Sequence, residues 1–305
     1  MIAPTVIREL TVSAEDGARP YLYLSAASGL VWLGSHYYVV ADDELHIGQF
    51  TSAVSEPGRL IRVFDGVLPD DRKERKRRKP DLETLTLLPA TTRFPYGALL
   101  ALGSGSTPNR RRGAVLGLDP EGVVCGSPQV FDASPVLGPL TDLFPDLNIE
   151  GAVVVGDDLR LVQRGNARHA ENAIVHYPLS RVLDAVLNGQ GDTLRPSAID
   201  RITLPETHDV PLCFTDAAAL PNGDMVFCAV AENTGDAVAD GPCVGAAIGI
   251  IGSDGRLVSL EPLDRPFKVE GIAVRVDGDR LDVRLVTDAD DPAIPALLLS
   301  TSLAC

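Results

Sequence analysis

The segments Asn148-Ile149-Glu150-Gly151-Ala152 and Lys268-Val269-Glu270-Gly271-Ile272 each set an acid–glycine pair inside an extended apolar run. Three more segments share that setting: Ser28-Gly29-Leu30-Val31, Asp81-Leu82-Glu83-Thr84-Leu85 and Phe214-Thr215-Asp216-Ala217-Ala218. Successive spacings from Ser28 through Glu83, Glu150 and Asp216 to Glu270 are 55, 67, 66 and 54 residues. A recurrence of that size marks a repeat architecture with one supersecondary unit per period.

Working outward, each segment is followed by a second β-rich run that stops in a polar cluster. These runs are His36–Val40 before Asp42-Asp43, Gly97–Leu102 before Gly103-Ser104-Gly105-Ser106, and Leu159–Val162 before Gln163-Arg164-Gly165-Asn166. Met225–Val230 precedes Glu232-Asn233, and Leu281–Val286 precedes Thr287-Asp288. Turns such as Pro221-Asn222-Gly223-Asp224 separate first from second runs, because Asn-Gly and Asp-Gly accept positive φ at low cost. Third and fourth strands are expected at Gly113–Leu118 with Val123-Val124, and at Gly245–Ile251 with Leu257–Leu260. Four antiparallel strands per unit around an axis describe a propeller blade. The chain is therefore expected to be an all-β, five-bladed β-propeller, with residues 1–305 as one domain. The last unit shows three strands, so the N-terminal run Thr5–Leu10 is expected to supply the fourth and close the ring. Helical spacing and a glycine stop predict a short inserted helix over 179–187. The proline-punctuated stretch from Pro135 to Asp146 is expected to be a second small insertion with a helical turn.

Composition narrows the function classes. With 42 acidic against 27 basic residues and a formal charge of −15, the chain lacks the basic footprint of a nucleic-acid or anionic-membrane binder. The run from Arg72 to Lys79 is the exception and is expected to be a flexible, solvated loop entering the second blade. Cysteines at 125, 213, 228, 243 and 305 form no CxxC pair, which argues for reduced thiols rather than a zinc site. Met1-Ile2-Ala3-Pro4-Thr5 lacks a basic region followed by an apolar core, and no apolar run reaches membrane-spanning length. A cytoplasmic location is expected.

In a propeller the loop entering each first strand and the loop leaving each second strand lie on one face of the disc. The carboxylates and the polar clusters should therefore share one funnel. Glu83, Glu150, Asp216 and Glu270, with Ser28 offering a hydroxyl or carbonyl, are the expected ligands of an axial cation. Oxygen-only ligation suits Ca²⁺ ahead of Mg²⁺ or Mn²⁺. The alternative is that these acids bond backbone amides around a water-filled channel. On the funnel wall, Arg164 is expected to grip an anionic small molecule and Glu232 to act as a general base. Ser104, Ser106, Asn166, Asn172 and Asn233 are expected to contact the substrate. His169 and His176 flank Asn172, but no nucleophile elbow accompanies them.

The stretch Phe214–Val274, with its Ala229-Val230-Ala231-Glu232 and Lys268-Val269-Glu270-Gly271-Ile272 phrases, resembles an uncharacterised bacterial β-propeller family. It is also similar to the esterase-like domain associated with bacterial phytases. More distantly, the blade count and the Glu270-Gly271 phrase resemble calcium-activated nucleotidases of the apyrase type. That last resemblance implies an axial Ca²⁺, Glu83, Glu150 and Glu270 as its ligands, and hydrolysis of nucleoside phosphates. Ser28-Gly29 stands where those nucleotidases carry an acid. Two functions remain open from the sequence: a cation-dependent hydrolase of a phosphorylated or anionic small molecule, and a noncatalytic propeller that binds a ligand or protein partner and whose axial cation is structural.

Overall fold

A computed structural model describes residues 1–14, 21–189, 193–234 and 241–304; Cys305 lies outside the described residues. The described strands form five small antiparallel sheets, each ordered outward from one inner strand. Blade 1 is β2 (Ala27–Leu33), β3 (His36–Ala41), β4 (His46–Thr51) and β5 (Arg59–Arg62). Blade 2 is β6 (Leu82–Leu88), β7 (Ala98–Gly103), β8 (Arg112–Gly117) and β9 (Gln129–Asp132). Blade 3 is β10 (Ile149–Val155), β11 (Asp158–Gln163), β12 (Asn172–Pro178) and β13 (Ala198–Ile202). Blade 4 is β14 (Glu206–Thr207), β15 (Val210–Ala219), β16 (Met225–Glu232), β17 (Cys243–Ile251) and β18 (Leu257–Pro262). Blade 5 is β19 (Val269–Asp277), β20 (Arg280–Thr287) and β21 (Leu297–Ala304).

The N-terminal strand β1 (Thr5–Glu9) pairs antiparallel with β21, as the missing fourth strand required. This contact joins the two ends of the chain and covers the outer edge of blade 5. Five apolar clusters hold the ring, one between each pair of neighbouring blades. Blades 1 and 2, for instance, share Tyr38, Val40, Leu85 and Leu99, while blades 5 and 1 share Leu298, Val286, Leu30 and Phe50.

One irregularity recurs in every inner strand. The register between first and second strands slips at Ala27/Gly29, Leu82/Thr84, Ile149/Gly151, Phe214/Asp216 and Val269/Gly271. A β-bulge leaves the skipped residue outside the ladder and re-aims it. The skipped residues are Ser28, Glu83, Glu150, Thr215 and Glu270. The glycine after the bulge is needed because neighbouring inner strands crowd there. A Cβ on Gly151 would lie 2.8 Å from the Asp216 carboxylate, and one on Gly29 would lie 2.8 Å from the Glu83 carbonyl.

Two expectations need correction. Val123-Val124 is not the fourth strand of blade 2, because only an isolated Leu118–Val124 bridge forms there. The Asp119 carboxylate accepts from the Glu121 and Val123 amides and curls the chain, so pairing with β8 resumes at β9. The basic run is not a loop but the helix α1 (Arg72–Arg78), N-capped by Asp71, whose carboxylate accepts from Glu74 N at 2.8 Å. The insertions appear where expected. Helix α2 (Ser134–Leu137) continues as a 3₁₀ turn over Gly138–Asp142, and α3 spans Leu179–Leu187.

Ring closure makes blade 5 sensitive to the packing of its third strand. Leu298 is fully buried in β21 between blades 5 and 1. Leu298→Ala is expected to destabilise the protein by about 2–5 kcal/mol in urea unfolding. A loss below about 1 kcal/mol would mean that this seam does not hold the ring.

Candidate functional site

Three tiers of residues meet at one end of the axis, and the repeat generates all three. The bulge tier is Ser28, Glu83, Glu150, Thr215 and Glu270. Two residues earlier along the chain, at or just before the start of each inner strand except in β15, stand Ala26, Asp81, Asn148, Cys213 and Lys268. The residues leaving the second strands add Asp42, Ser104, Arg164 and Asp288. Most of these line one pocket enclosing a cavity of about 70 Å³, enough for an ion or a few waters.

The pocket is a lattice of buried charge. Arg164 sits 3.3 Å from Glu150, 3.7 Å from Glu270 and 2.5 Å from Glu232. Lys268 lies 3.6 Å from Glu270 and 3.8 Å from Glu232, and it also pairs with Asp290. On the opposite side Lys79 bridges Asp42 and Asp81, the latter at 2.9 Å, while Arg110 reaches Asp81 at 2.8 Å. Asp42, Asp81 and Glu83 each bring one oxygen within 4.8 Å of the others.

Seven carboxylates line this pocket (Asp42, Asp81, Glu83, Glu150, Glu232, Glu270 and Asp288) against five cations (Lys76, Lys79, Arg110, Arg164 and Lys268). Two negative charges are unmatched when all are ionised. Burying unmatched charge is costly, so protons or a cation must make up the difference. The carboxylates respond accordingly. Burial pushes Glu150 up to about 8, with Arg164 opposing and Glu270 and Asp81 adding to the rise. Burial also raises Glu83, reinforced by Glu150, and raises Asp288. Glu270 is raised too, by burial first, with Arg164 and Lys268 working against it.

These residues fit a hard divalent cation. Carboxylate oxygens of Asp42, Asp81 and Glu83 converge within 4.8 Å, and both Glu270 carboxylate oxygens are buried without a hydrogen-bond partner.

The expected site residues divide. Ser28, Glu83, Glu150, Arg164, Asn166, Glu232 and Glu270 come together at the pocket. Asp216 does not, because the bulge shows Thr215 to be the phased residue and a one-residue offset turns a side chain to the other face. Asp216 instead accepts from the Ala217 and Ile272 amides at 2.8 and 2.9 Å, bracing blade 4 against blade 5. It follows the backbone-amide alternative. Thr215 donates to the Val269 carbonyl at 2.7 Å.

Asn172 is fully buried, and its side chain accepts from Gly165 N and Phe214 N and donates to Leu212 O. It ties blade 3 to blade 4 rather than facing a substrate. Ser104 donates to Asp81 at 2.5 Å, and Ser106 accepts from Arg110 at 3.0 Å. Both support the wall from behind. Asn166 shapes its own loop by accepting from the Arg168 and His169 amides, and Asn233 is exposed outside the pocket. Arg164, expected to face an anion, faces three carboxylates. Glu232, expected to be a base, holds Arg164 with one oxygen and accepts from Gly241 N with the other.

Lys79, Asp81, Arg110 and Lys268 escaped the sequence reading as site residues. Asp81 and Lys268 carry a usable signal, since each stands two positions before a bulge acid, on the segment that enters the inner strand. Lys79 and Arg110 arrive from loops that no repeat pattern places.

The structure of Myxococcus xanthus glutaminyl cyclase overlays on all of this chain and 98% of its own, with a TM-score of 0.53 at 12% identity. A luciferin-regenerating enzyme covers 98% of this chain and 95% of its own, with a TM-score of 0.48 at 13% identity. A putative gluconolactonase covers 98% and 92%, with a TM-score of 0.44 at 9% identity. At these identities the likeness concerns the fold alone. No curated protein matches the sequence. A family of unknown function (DUF6929) matches residues 23–303. Among the described residues no helix is long and apolar enough to cross a membrane.

The Glu150 shift has a measurable consequence. Its folded pKa, about 8, lies above its ordinary value of 4.5, so between those values the native state holds more protons than the unfolded chain. Stability from this group is full below about 4.5 and declines as pH rises towards about 8. Urea midpoints for the wild type should fall across that window, and Glu150→Gln should show a shallower fall. An identical slope in the variant would remove Glu150 from the titrating set.

Proposed function

For a chain that belongs to the family of unknown function DUF6929, we propose that the axial pocket is the active site of a cation-dependent hydrolase for small anionic molecules. The observation that carries this reading is a buried, carboxylate-rich pocket, with seven acids against five cations when all are ionised, in which burial raises the pKa values of Glu83, Glu150, Glu270 and Asp288. Ca²⁺ is the proposed cation, ahead of Mg²⁺ and Mn²⁺, and Glu83 with Asp42 and Asp81 would hold it, with Glu270 adding oxygens that take no hydrogen bond. When bound, such an ion polarises the scissile group or acidifies a water. Phosphoester or nucleotide chemistry is part of the proposal, on the motif resemblance to calcium-activated nucleotidases.

The chain's own residues supply the remainder. Glu150, with its pKa near 8, holds a proton at neutral pH and passes it to a leaving oxygen as a general acid. Arg164 is locked by Glu150, Glu232 and Glu270, so its guanidinium presents a fixed positive edge to charge that develops on substrate. Glu232 acts by holding Arg164 in place. An anion alone is repelled by the surplus charge, so an anionic substrate enters together with the cation.

Two measurements follow from this. Purified protein supplied with Ca²⁺, Mg²⁺ or Mn²⁺ is expected to turn over one of a panel of phosphoesters, nucleotides and lactones. Glu150→Gln, folded by circular dichroism, is expected to lose about 10²-fold or more of that rate. Absence of turnover under all three ions would leave the noncatalytic propeller as the reading. Calorimetry with inorganic phosphate should show binding only when Ca²⁺ is present, and equal binding in its absence would overturn the role of the cation in substrate capture.

A further inference from the structure

Helix α1 is the basic run of an acidic chain, and it lies across the mouth of the funnel. Polar contacts fasten it there. Arg75 donates to the Asp43 carbonyl at 2.6 Å, and Arg72 reaches the Asp290 carbonyl at 3.4 Å. Arg110 donates to the Lys76 carbonyl at 3.1 Å, and Asn109 donates to the Arg77 carbonyl at 3.1 Å. These anchors come from loops of blades 1, 2 and 5. No residue of α1 is buried, so the helix can lift without exposing an apolar face.

What α1 does bury is the residue that caps it. Lys79 leaves the helix with ψ 144, and Pro80 forbids further helix. Its side chain turns inward between Asp42 and Asp81. The third member of that oxygen trio, Glu83, is only 8% exposed, and both carboxylate oxygens of Glu270, which lines the same pocket, are buried without a hydrogen-bond partner. The trio is thus set up for a cation, and its residents are the tethered Lys79 ammonium and, on Asp81, the Arg110 guanidinium.

We propose that Lys79 is an internal competitor for divalent cations, delivered by α1 to the Asp42–Asp81–Glu83 carboxylates, so that a divalent ion enters only as α1 withdraws its lysine. The proposal rests on the reading of the pocket as cation-binding, but not on hydrolysis. A lysine ammonium and a divalent ion repel strongly at the spacing of one trio, and both need the same oxygens. Linkage makes the competition reciprocal: whatever factor Lys79 takes from ion affinity, the ion takes from the hold on α1. The basic helix and the metal site then act as one device, with the lid held shut by the charge that loading the site would replace.

Calorimetry with Ca²⁺ and electron paramagnetic resonance with Mn²⁺ test this without any substrate. Lys79→Met keeps the apolar stem and removes the charge, and it is expected to bind either ion about tenfold or more tightly than the wild type, within the usual range for coupled sites. Lys79→Gln serves if the methionine variant fails to fold. Adding Asp81→Asn to either variant should cancel the gain. Equal affinity in wild type and variants would overturn the proposal. In wild-type protein loaded with Ca²⁺, acylation of Lys79 read by mass spectrometry should rise relative to Lys268. Ion binding that leaves Lys79 as protected as before would also overturn it. A protein that hydrolyses nothing yet passes these binding tests would sink the hydrolase reading and leave this one standing.

Discussion

Every inner strand of this propeller gives up one ladder position at the same height, and the chemistry of the axis depends on that sacrifice. A regular strand alternates its side chains between two faces, so it cannot aim a residue along the ring axis while both neighbours remain paired. The bulge releases Ser28, Glu83, Glu150, Thr215 and Glu270 from that alternation. Glycine follows in three of the five because adjacent inner strands approach too closely for a Cβ. The acid–glycine phrase is therefore a packing rule and a functional rule at once.

Gathering acids on an axis creates an electrostatic problem that the fold answers with its own cations. Arg164 serves three carboxylates and Lys268 serves three, while Lys79 and Arg110 share Asp81. Buried pairs of this kind contribute little net stability, yet removing one member strands the other. Such a network is better understood as a means of fixing geometry and proton occupancy than as a source of stability. When every acid is ionised the charge balance is incomplete, which leaves room for protons or an ion to come and go.

The stability that the axis does not supply comes from the seams. Five apolar clusters lie between adjacent blades, and the last of them forms only when β1 and β21 meet. The ring holds the three tiers in register, while α1, none of whose residues is buried, is tied to them by hydrogen bonds. Apolar burial thereby fixes the pocket, and hydrogen bonds fasten the helix beside it.

The sequence by itself determined the blade count, the closing strand, the helix at 179–187 and three of the bulge acids. These follow from local alternation, turn chemistry and a repeat period, all carried by neighbours along the chain. It could not tell Thr215 from Asp216, because a bulge is a property of two paired strands and a one-residue offset is invisible in one of them. It placed Val123-Val124 in a strand because β propensity does not register the Asp119 side chain that curls the chain. Only the tertiary structure decided that Arg164 faces carboxylates, that Asn172 is a brace, and that Lys79 and Lys268 neutralise the axis. Those outcomes depend on which charges meet after the ring closes, and Coulomb energy at a few ångströms is set by distance in space, not by separation along the chain.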